Sequence, residues 1–216
     1  MTKQEVKSII ERTGIIPAVR ARSADDALFA AETVIAAGIP IVEVTMTTPG
    51  ALDVIRTLAR RPGVVAGAGT VVKIDTARQC LDAGAHFLSS PGLAVRLVEF
   101  ALKENTLVFP GALTPTEVML ASEAGADWVK VFPCSLLGGA SYVQALKGPF
   151  PDVPLVAAGG VGQQTIGEFI RAGAVAVGVG RELIPPQAVH RRQASWISEL
   201  TRRFIELVAE ARSLTF

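Results

Sequence analysis

The stretch "ADWVKVFPCS", Ala126 to Ser135, is apolar on both parities through its centre except for one lysine. A run of that kind reads as a strand buried on both faces, and such strands belong to parallel sheets covered by helices. Lys130 stands in its middle, with Trp128 and Val129 before it and Val131 and Phe132 after it. An ammonium group in that position loses hydration and is costly unless it is paired or gives up its proton. The other five lysines (Lys3, Lys7, Lys73, Lys103, Lys147) lie in polar or helix-like surroundings. Lys130 is therefore either structural and paired, or functional.

Outward from this strand, short β-branched runs alternate with longer helical patterns. The pattern predicts strands over Gly14–Ala21, Ile39–Met46, Val64–Val71, His86–Gly92, Thr106–Ala112, Asp127–Pro133, Pro154–Gly160 and Val175–Arg181, each followed by a helix. Ser23 caps one helix, with Asp25 and Asp26 in its first turn, where acidic groups favour the helix dipole. "TPTE", Thr114–Glu117, is a capping box with proline at the first helical position. Gly38, Gly84, Gly125 and Gly173 each close a helix just before a strand, at a left-handed position where a Cβ would clash. Eight βα units make either a closed (β/α)8 barrel or an open doubly wound sheet. The GxGxxG fingerprint after the first strand is missing, so the expected fold is a (β/α)8 TIM barrel. An extra helix precedes it over Gln4–Arg12, and no linker divides the single domain, 1–216.

Composition agrees with a large core: 50% hydrophobic and 19% charged residues, against roughly 25% charged in ordinary domains. A net charge of +1 gives no reason to expect nucleic acid or an anionic membrane as partner. Cys80 and Cys134 lack CxxC spacing, which points to a reducing, cytoplasmic setting. "MTKQEVKSIIERTG" carries charges throughout and does not read as a secretory signal, and no run is long and apolar enough to span a membrane.

Lys130 is not alone. Glu43 lies in "PIVEVTM" and Arg20 in "IPAVRAR", each in the later half of its predicted strand. Barrel chemistry sits at the C-terminal ends of strands, so three charges on strands one, two and six are better read as lining one pocket than as a buried ion cluster. Burial and neighbouring charge can lower a lysine's pKa to roughly 7–8 and make it a nucleophile. The neutral amine then attacks a ketone, and the protonated imine accepts electrons from the adjacent carbon–carbon bond. A carboxylate moves the protons, and an arginine holds a 2-oxo acid's carboxylate at two points. No metal or cofactor is required, and His86 and His190 lack ligand spacing. "AAGGVG" (Ala157–Gly162) and "GVGREL" (Gly178–Leu183) follow strands seven and eight, where such barrels bind phosphate on backbone N–H groups. Thr70, in "GAGT", could bind a substrate carboxylate or cap the next helix. Cys134, with no basic partner, reads as a loop thiol.

The motifs "VEVTMTTPGAL", "GAGTV", "SPGL", "FPGALTPTE", "VKVFPCSLLGG" and "LKGPFP" occur in an order that resembles the 2-keto-3-deoxy-6-phosphogluconate (KDPG) aldolases. These overlap with 4-hydroxy-2-oxoglutarate (KHG) aldolases, and the resemblance runs from about Gly14 to Leu183. It implies cleavage of KDPG or KHG to pyruvate plus glyceraldehyde 3-phosphate or glyoxylate. It also implies Lys130 as imine former, Glu43 as acid/base, Thr70 on the pyruvate carboxylate, Pro91 and Phe132 lining the pocket, and a metal-free homotrimer.

Three positions depart from the family pattern. Thr47 stands where many members carry a carboxylate-binding arginine, a role that passes to Arg20. Ala158 replaces a threonine before "GG". Arg181 replaces the serine of the phosphate loop, and would join Gly159, Gly160 and Gly180 around a distal phosphate or carboxylate. The rival readings are a sugar-phosphate isomerase or epimerase, in which Lys130 forms no imine, and a barrel that binds a keto acid or sugar phosphate without chemistry.

Overall fold

The run around Lys130 forms a three-residue strand, Val129–Val131, in which every residue is buried. It belongs to a computed structural model of the protein that describes residues 1–214. The last two positions of the expected 1–216 domain lie outside the described residues.

The strands are β1 (Ile15–Val19), β2 (Ile41–Thr45), β3 (Val65–Gly69), β4 (Phe87–Ser89), β5 (Leu107–Phe109), β6 (Gly111–Ala112), β7 (Val129–Val131), β8 (Leu155–Ala158) and β9 (Ala174–Val179). They pair in parallel in the order β5-β4-β3-β2-β1-β9-β8-β7-β6. The expected fifth strand, Thr106–Ala112, is thus two pieces. Pro110 separates them, because it has no N–H for a ladder. β5 continues onto β4 and β6 onto β7, while the Pro110 carbonyl accepts the Lys130 N–H at 2.9 Å. The chain itself bridges the two edges of the sheet there, and the (β/α)8 expectation holds, with eight strand positions and nine strand segments among the described residues.

Helices α1 (Lys3–Thr13), α2 (Ala24–Ala36), α3 (Ala51–Ala59), α4 (Ile74–Asp82), α5 (Val95–Lys103), α6 (Pro115–Glu123), α7 (Ala140–Lys147), α8 (Ile166–Arg171), α9 (Pro186–His190) and α10 (Ala194–Ser213) surround the sheet. The expected punctuation is present. Ser23 accepts from the Asp26 N–H, and Thr114 with Glu117 forms a capping box. Gly38, Gly84, Gly125 and Gly173 all have positive φ. No helix among the described residues is long and apolar enough to cross a membrane.

The floor of the barrel is aromatic. Phe87 and Phe109 rings lie 5.1 Å apart, and Phe109 and Trp128 rings 5.8 Å apart. Phe87 fits only because residue 67 is glycine: a Cβ there would lie 2.0 Å from the ring. Truncating a buried ring of this kind costs about 3–5 kcal/mol, so the stack is a large part of what fixes the strands. Helix α1 packs under it against β1, β5 and β9. Lys3 pairs with Asp127 at 2.9 Å, and the Lys7 ammonium lies 5.9 Å from the Trp128 ring. The N-terminal mouth is therefore plugged, and the opposite mouth is left for chemistry.

Candidate active site

Three strands bring three polar side chains into the barrel interior. Glu43, in the middle of β2, is 7% exposed, Lys130 of β7 is 7% exposed, and Ser89, the last residue of β4, is fully buried. The Ser89 hydroxyl donates to Glu43 Oε2 at 2.8 Å and accepts from Lys130 Nζ at 3.1 Å. Lys130 and Glu43 make no direct ion pair among the described residues; the hydroxyl stands between them. Glu43 reaches this place because residue 69 is glycine. A Cβ at that position would lie 2.0 Å from Glu43 Oε1.

The Lys130 pKa is lowered, chiefly because burial strips water from the ammonium. The Glu43 carboxylate opposes that shift and the Arg20 guanidinium adds to it. As pH rises the amine is thus freed before an ordinary lysine would be. Until then the ammonium lies 5.5 Å from the centre of the Phe132 ring, on a π face that suits a cation.

The remaining expected residues lie around this centre in several ways. Arg20 is not inside an apolar strand: β1 ends at Val19, and Arg20 is exposed in the loop beyond it. That corrects the reading of three buried charges to two, with Arg20 acting from the rim. Its loop is tied down by Thr48, whose buried hydroxyl accepts the Ala21 N–H at 3.2 Å and lies 3.4 Å from the Thr45 hydroxyl. Thr70 does not cap a helix, since α4 begins at Ile74 with Lys73 before it. Thr70 sits half-buried at φ 60° with its hydroxyl unbonded among the described residues. A β-branched residue in the left-handed region costs about 1–3 kcal/mol, and such strain gathers at binding sites. Pro91 is half-buried just past Ser89, and Gly111 leaves room for its carbonyl, which a Cβ would approach to 2.3 Å.

The glycine-rich loops diverge from their expected strands. β8 stops at Ala158 and β9 at Val179, so Gly159, Gly160, Gly180 and Arg181 all lie in the loops above them. Gly159 and Gly160 have φ of +87° and +88°, and a Cβ on Gly160 would meet Ser135 Oγ at 2.0 Å. Only glycine fits. The N–H groups of Gly160 and Val161 have no acceptor among the described residues. Arg181 is exposed and makes no ion pair among the described residues.

Cys134, expected as a loop thiol, opens a short 3-10 helix, Cys134–Leu137, in the connection after β7. Its Sγ donates to the Gly159 carbonyl at 3.3 Å, and burial pushes its pKa up to about 12, so it is no thiolate nucleophile. The His86 ring lies against the Ala66 backbone, and burial lowers its pKa.

Ser89 and Thr48 were not expected. Serine in "LSSPG" and threonine in "TMTTPG" are ordinary residues at strand ends. Only the barrel's closure brings Ser89 against partners 46 and 41 residues away.

The family described as "KDPG and KHG aldolase" matches residues 6–200. The chain belongs to that family. It is 32% identical over 200 residues to the 2-dehydro-3-deoxy-phosphogluconate aldolase of Treponema pallidum, covering 92% of this chain and 95% of the relative. Among solved structures it is similar to the KDPG aldolase of Legionella pneumophila with pyruvate captured as a covalent carbinolamine intermediate. That aldolase is 30% identical, with a TM-score of 0.85 and coverage of 91% of this chain and 96% of that one. The Zymomonas mobilis KDPG aldolase with 3-phosphoglycerate gives a TM-score of 0.84 at 27% identity, covering 94% and 96%.

Proposed function

We propose that the protein is a Schiff-base aldolase that cleaves KDPG, KHG or both to pyruvate and an aldehyde, with Lys130 as nucleophile. The observation that carries this reading is a nearly buried lysine of lowered pKa, joined to a buried carboxylate through one hydroxyl at the open end of an aldolase-family barrel. The capture of pyruvate as a carbinolamine in the Legionella relative supports it.

In this mechanism neutral Lys130 attacks the C2 ketone. Glu43 supplies the proton that lets the carbinolamine hydroxyl leave as water, giving a protonated imine. Glu43 then removes the C4 hydroxyl proton, C3–C4 breaks, the aldehyde departs, and the imine takes the bond's electrons as an enamine. Protonation at C3 and hydrolysis release pyruvate and the free amine. Near-burial of the site strengthens each charge interaction compared with water.

Arg20 and the unbonded Thr70 hydroxyl hold the substrate carboxylate, and Pro91 and Phe132 shape the pocket around the carbons. Gly159, Gly160, Gly180 and Arg181 hold the distal anion, glyceraldehyde 3-phosphate's phosphate or glyoxylate's carboxylate. The unsatisfied N–H groups beside Gly160, and the 3-phosphoglycerate in the Zymomonas relative, support an anion at this end.

Two free, buried cysteines fit a cytoplasmic setting. One barrel carries the whole site, in support of a single domain over 1–216. We also propose a homotrimer, with exposed apolar side chains such as Leu136 (78% exposed) and Val72 (62%) as surface that a second subunit could cover. Sedimentation at micromolar protein reads its mass.

The test is incubation with pyruvate and borohydride followed by peptide mass spectrometry. A reduced pyruvyl adduct on Lys130 is expected. Folded protein with excess pyruvate and no adduct would sink the aldolase reading and favour an isomerase on the same barrel.

A further inference from the structure

We infer that Ser89 is a catalytic proton relay between Lys130 and Glu43, the step that turns the buried ammonium into a nucleophile without water; this rests on the Schiff-base reading. Most serine hydroxyls bond to backbone or water. The Ser89 hydroxyl is fully buried, and the hydrogen bonds it makes run to the two ionisable groups of the site. A hydroxyl has one proton to give. Here it goes to Glu43 Oε2, so a lone pair faces Lys130 Nζ and the chain of bonds has a direction: amine to hydroxyl to carboxylate.

The transfer balances along that chain. An N–H bond of the Lys130 ammonium breaks as its proton joins Ser89 Oγ. The Ser89 O–H bond breaks as its own proton joins Glu43 Oε2. The products are a neutral amine, an intact hydroxyl and a carboxylic acid, with no net charge moved out of the site. The acid is then placed to protonate the leaving carbinolamine hydroxyl, which departs as water and restores the carboxylate. A direct Lys130–Glu43 ion pair would hold the lysine in its charged form, whereas the interposed hydroxyl passes the proton on.

The experiment is rapid mixing of the protein with pyruvate and quenching with borohydride at successive times, across pH, with the adduct on Lys130 quantified. In Ser89→Val, one methyl takes the place of the hydroxyl and a second is added, which leaves little room for water. The adduct should reach full yield but form about 10²-fold more slowly near neutral pH. The deficit should vanish at pH above the Lys130 pKa, where the amine is already neutral. Ser89→Thr keeps the hydroxyl and should restore the rate. Ser89→Ala, which removes only the oxygen, carries the test if the valine variant does not fold.

A wild-type rate and pH profile in the variant without the hydroxyl would overturn the relay and leave the Schiff base standing. A deficit that persists at high pH would assign Ser89 to packing and also overturn it. No adduct in the wild-type protein would remove the Schiff-base reading itself, and the relay with it.

Discussion

Two lysines meet carboxylates at opposite ends of this barrel, and β7 connects the two meetings. Just before that strand, Asp127 pairs directly with Lys3 of α1 at 2.9 Å and also accepts the Val108 N–H at 3.1 Å. In the middle of the strand, Lys130 reaches Glu43 only through the Ser89 hydroxyl. The first pair is partly open to water, with side-chain exposures of 18% and 11%, and closes the N-terminal mouth. The second lies deeper, where desolvation lowers the lysine's pKa. Direct contact with extra hydrogen bonds makes a fastener. Separation by one hydroxyl, with less water, makes a lysine that can give up its proton.

The comparison breaks first at Lys130. Lys130→Met keeps an unbranched side chain, one atom shorter, and removes the amine. Aldolase turnover should fall by about 10⁴-fold or more, the scale seen when a nucleophile is removed, with no borohydride-trapped adduct. Residual turnover within tenfold of wild type would make Lys130 another fastener. At the other end, Lys3→Met should leave trapping on Lys130 unchanged.

Glu43→Gln separates the two jobs of the site. Cleavage of KDPG or KHG should drop about 10²–10⁴-fold, the usual contribution of a positioned acid–base group. The sign of the pH effect is fixed: Glu43 raises the Lys130 pKa, so its neutralisation lowers that pKa further. The titration of the Lys130 amine, followed without pyruvate, should therefore move to lower pH, even as turnover falls and adduct formation near neutral pH slows for want of the relay's acceptor. A move to higher pH would mean that the carboxylate is not what holds the proton on Lys130.

How much of this contrast is legible in the sequence depends on how far each residue departs from its surroundings. Lys130 and Glu43 are charges in apolar runs, and the cost of burying them marks them out from their neighbours in the chain alone. The helix stops at Gly38, Gly84, Gly125 and Gly173 are visible for an equally local reason, the positive φ each adopts. Ser89 is small, polar and close to proline, which any strand end can be; its role exists only because β2, β4 and β7 face one interior. Arg20 reads as a strand residue because "IPAVRA" does not reveal that pairing stops at Val19. The break at Pro110 has a signal in "LVFPGA". What no local pattern holds is that the two halves pair on opposite sides.

Asp127→Ala tests the fastener. It leaves the Val108 N–H and the Lys3 ammonium without their partner, a loss of about 1–3 kcal/mol. In a chain of this size each kcal/mol shifts Tm by about 2–4 °C. Thermal unfolding should register that loss, while kcat of the folded protein stays within twofold. A fall in kcat without a fall in Tm would show that the plugged mouth shapes the chemistry, and the two ends would no longer be separable.

The smallest effect belongs to Arg20, whose charge reaches Lys130 from the exposed rim. Its guanidinium adds to the lowering of the Lys130 pKa, so Arg20→Gln should move the rise in adduct formation to higher pH. Solvent at the rim screens that influence: the Debye length is about 10 Å at 0.1 M salt and roughly 3 Å at 1 M. The displacement between wild type and Arg20→Gln should thus shrink as salt is added. A substrate-binding role adds a second signature, a higher KM for pyruvate-type substrates with kcat less affected, because a two-point contact to the carboxylate is lost. If the profile does not move but KM rises, Arg20 is an anchor alone. If neither changes, the rim takes no part in the site, and the carboxylate must be held by Thr70 and backbone N–H groups.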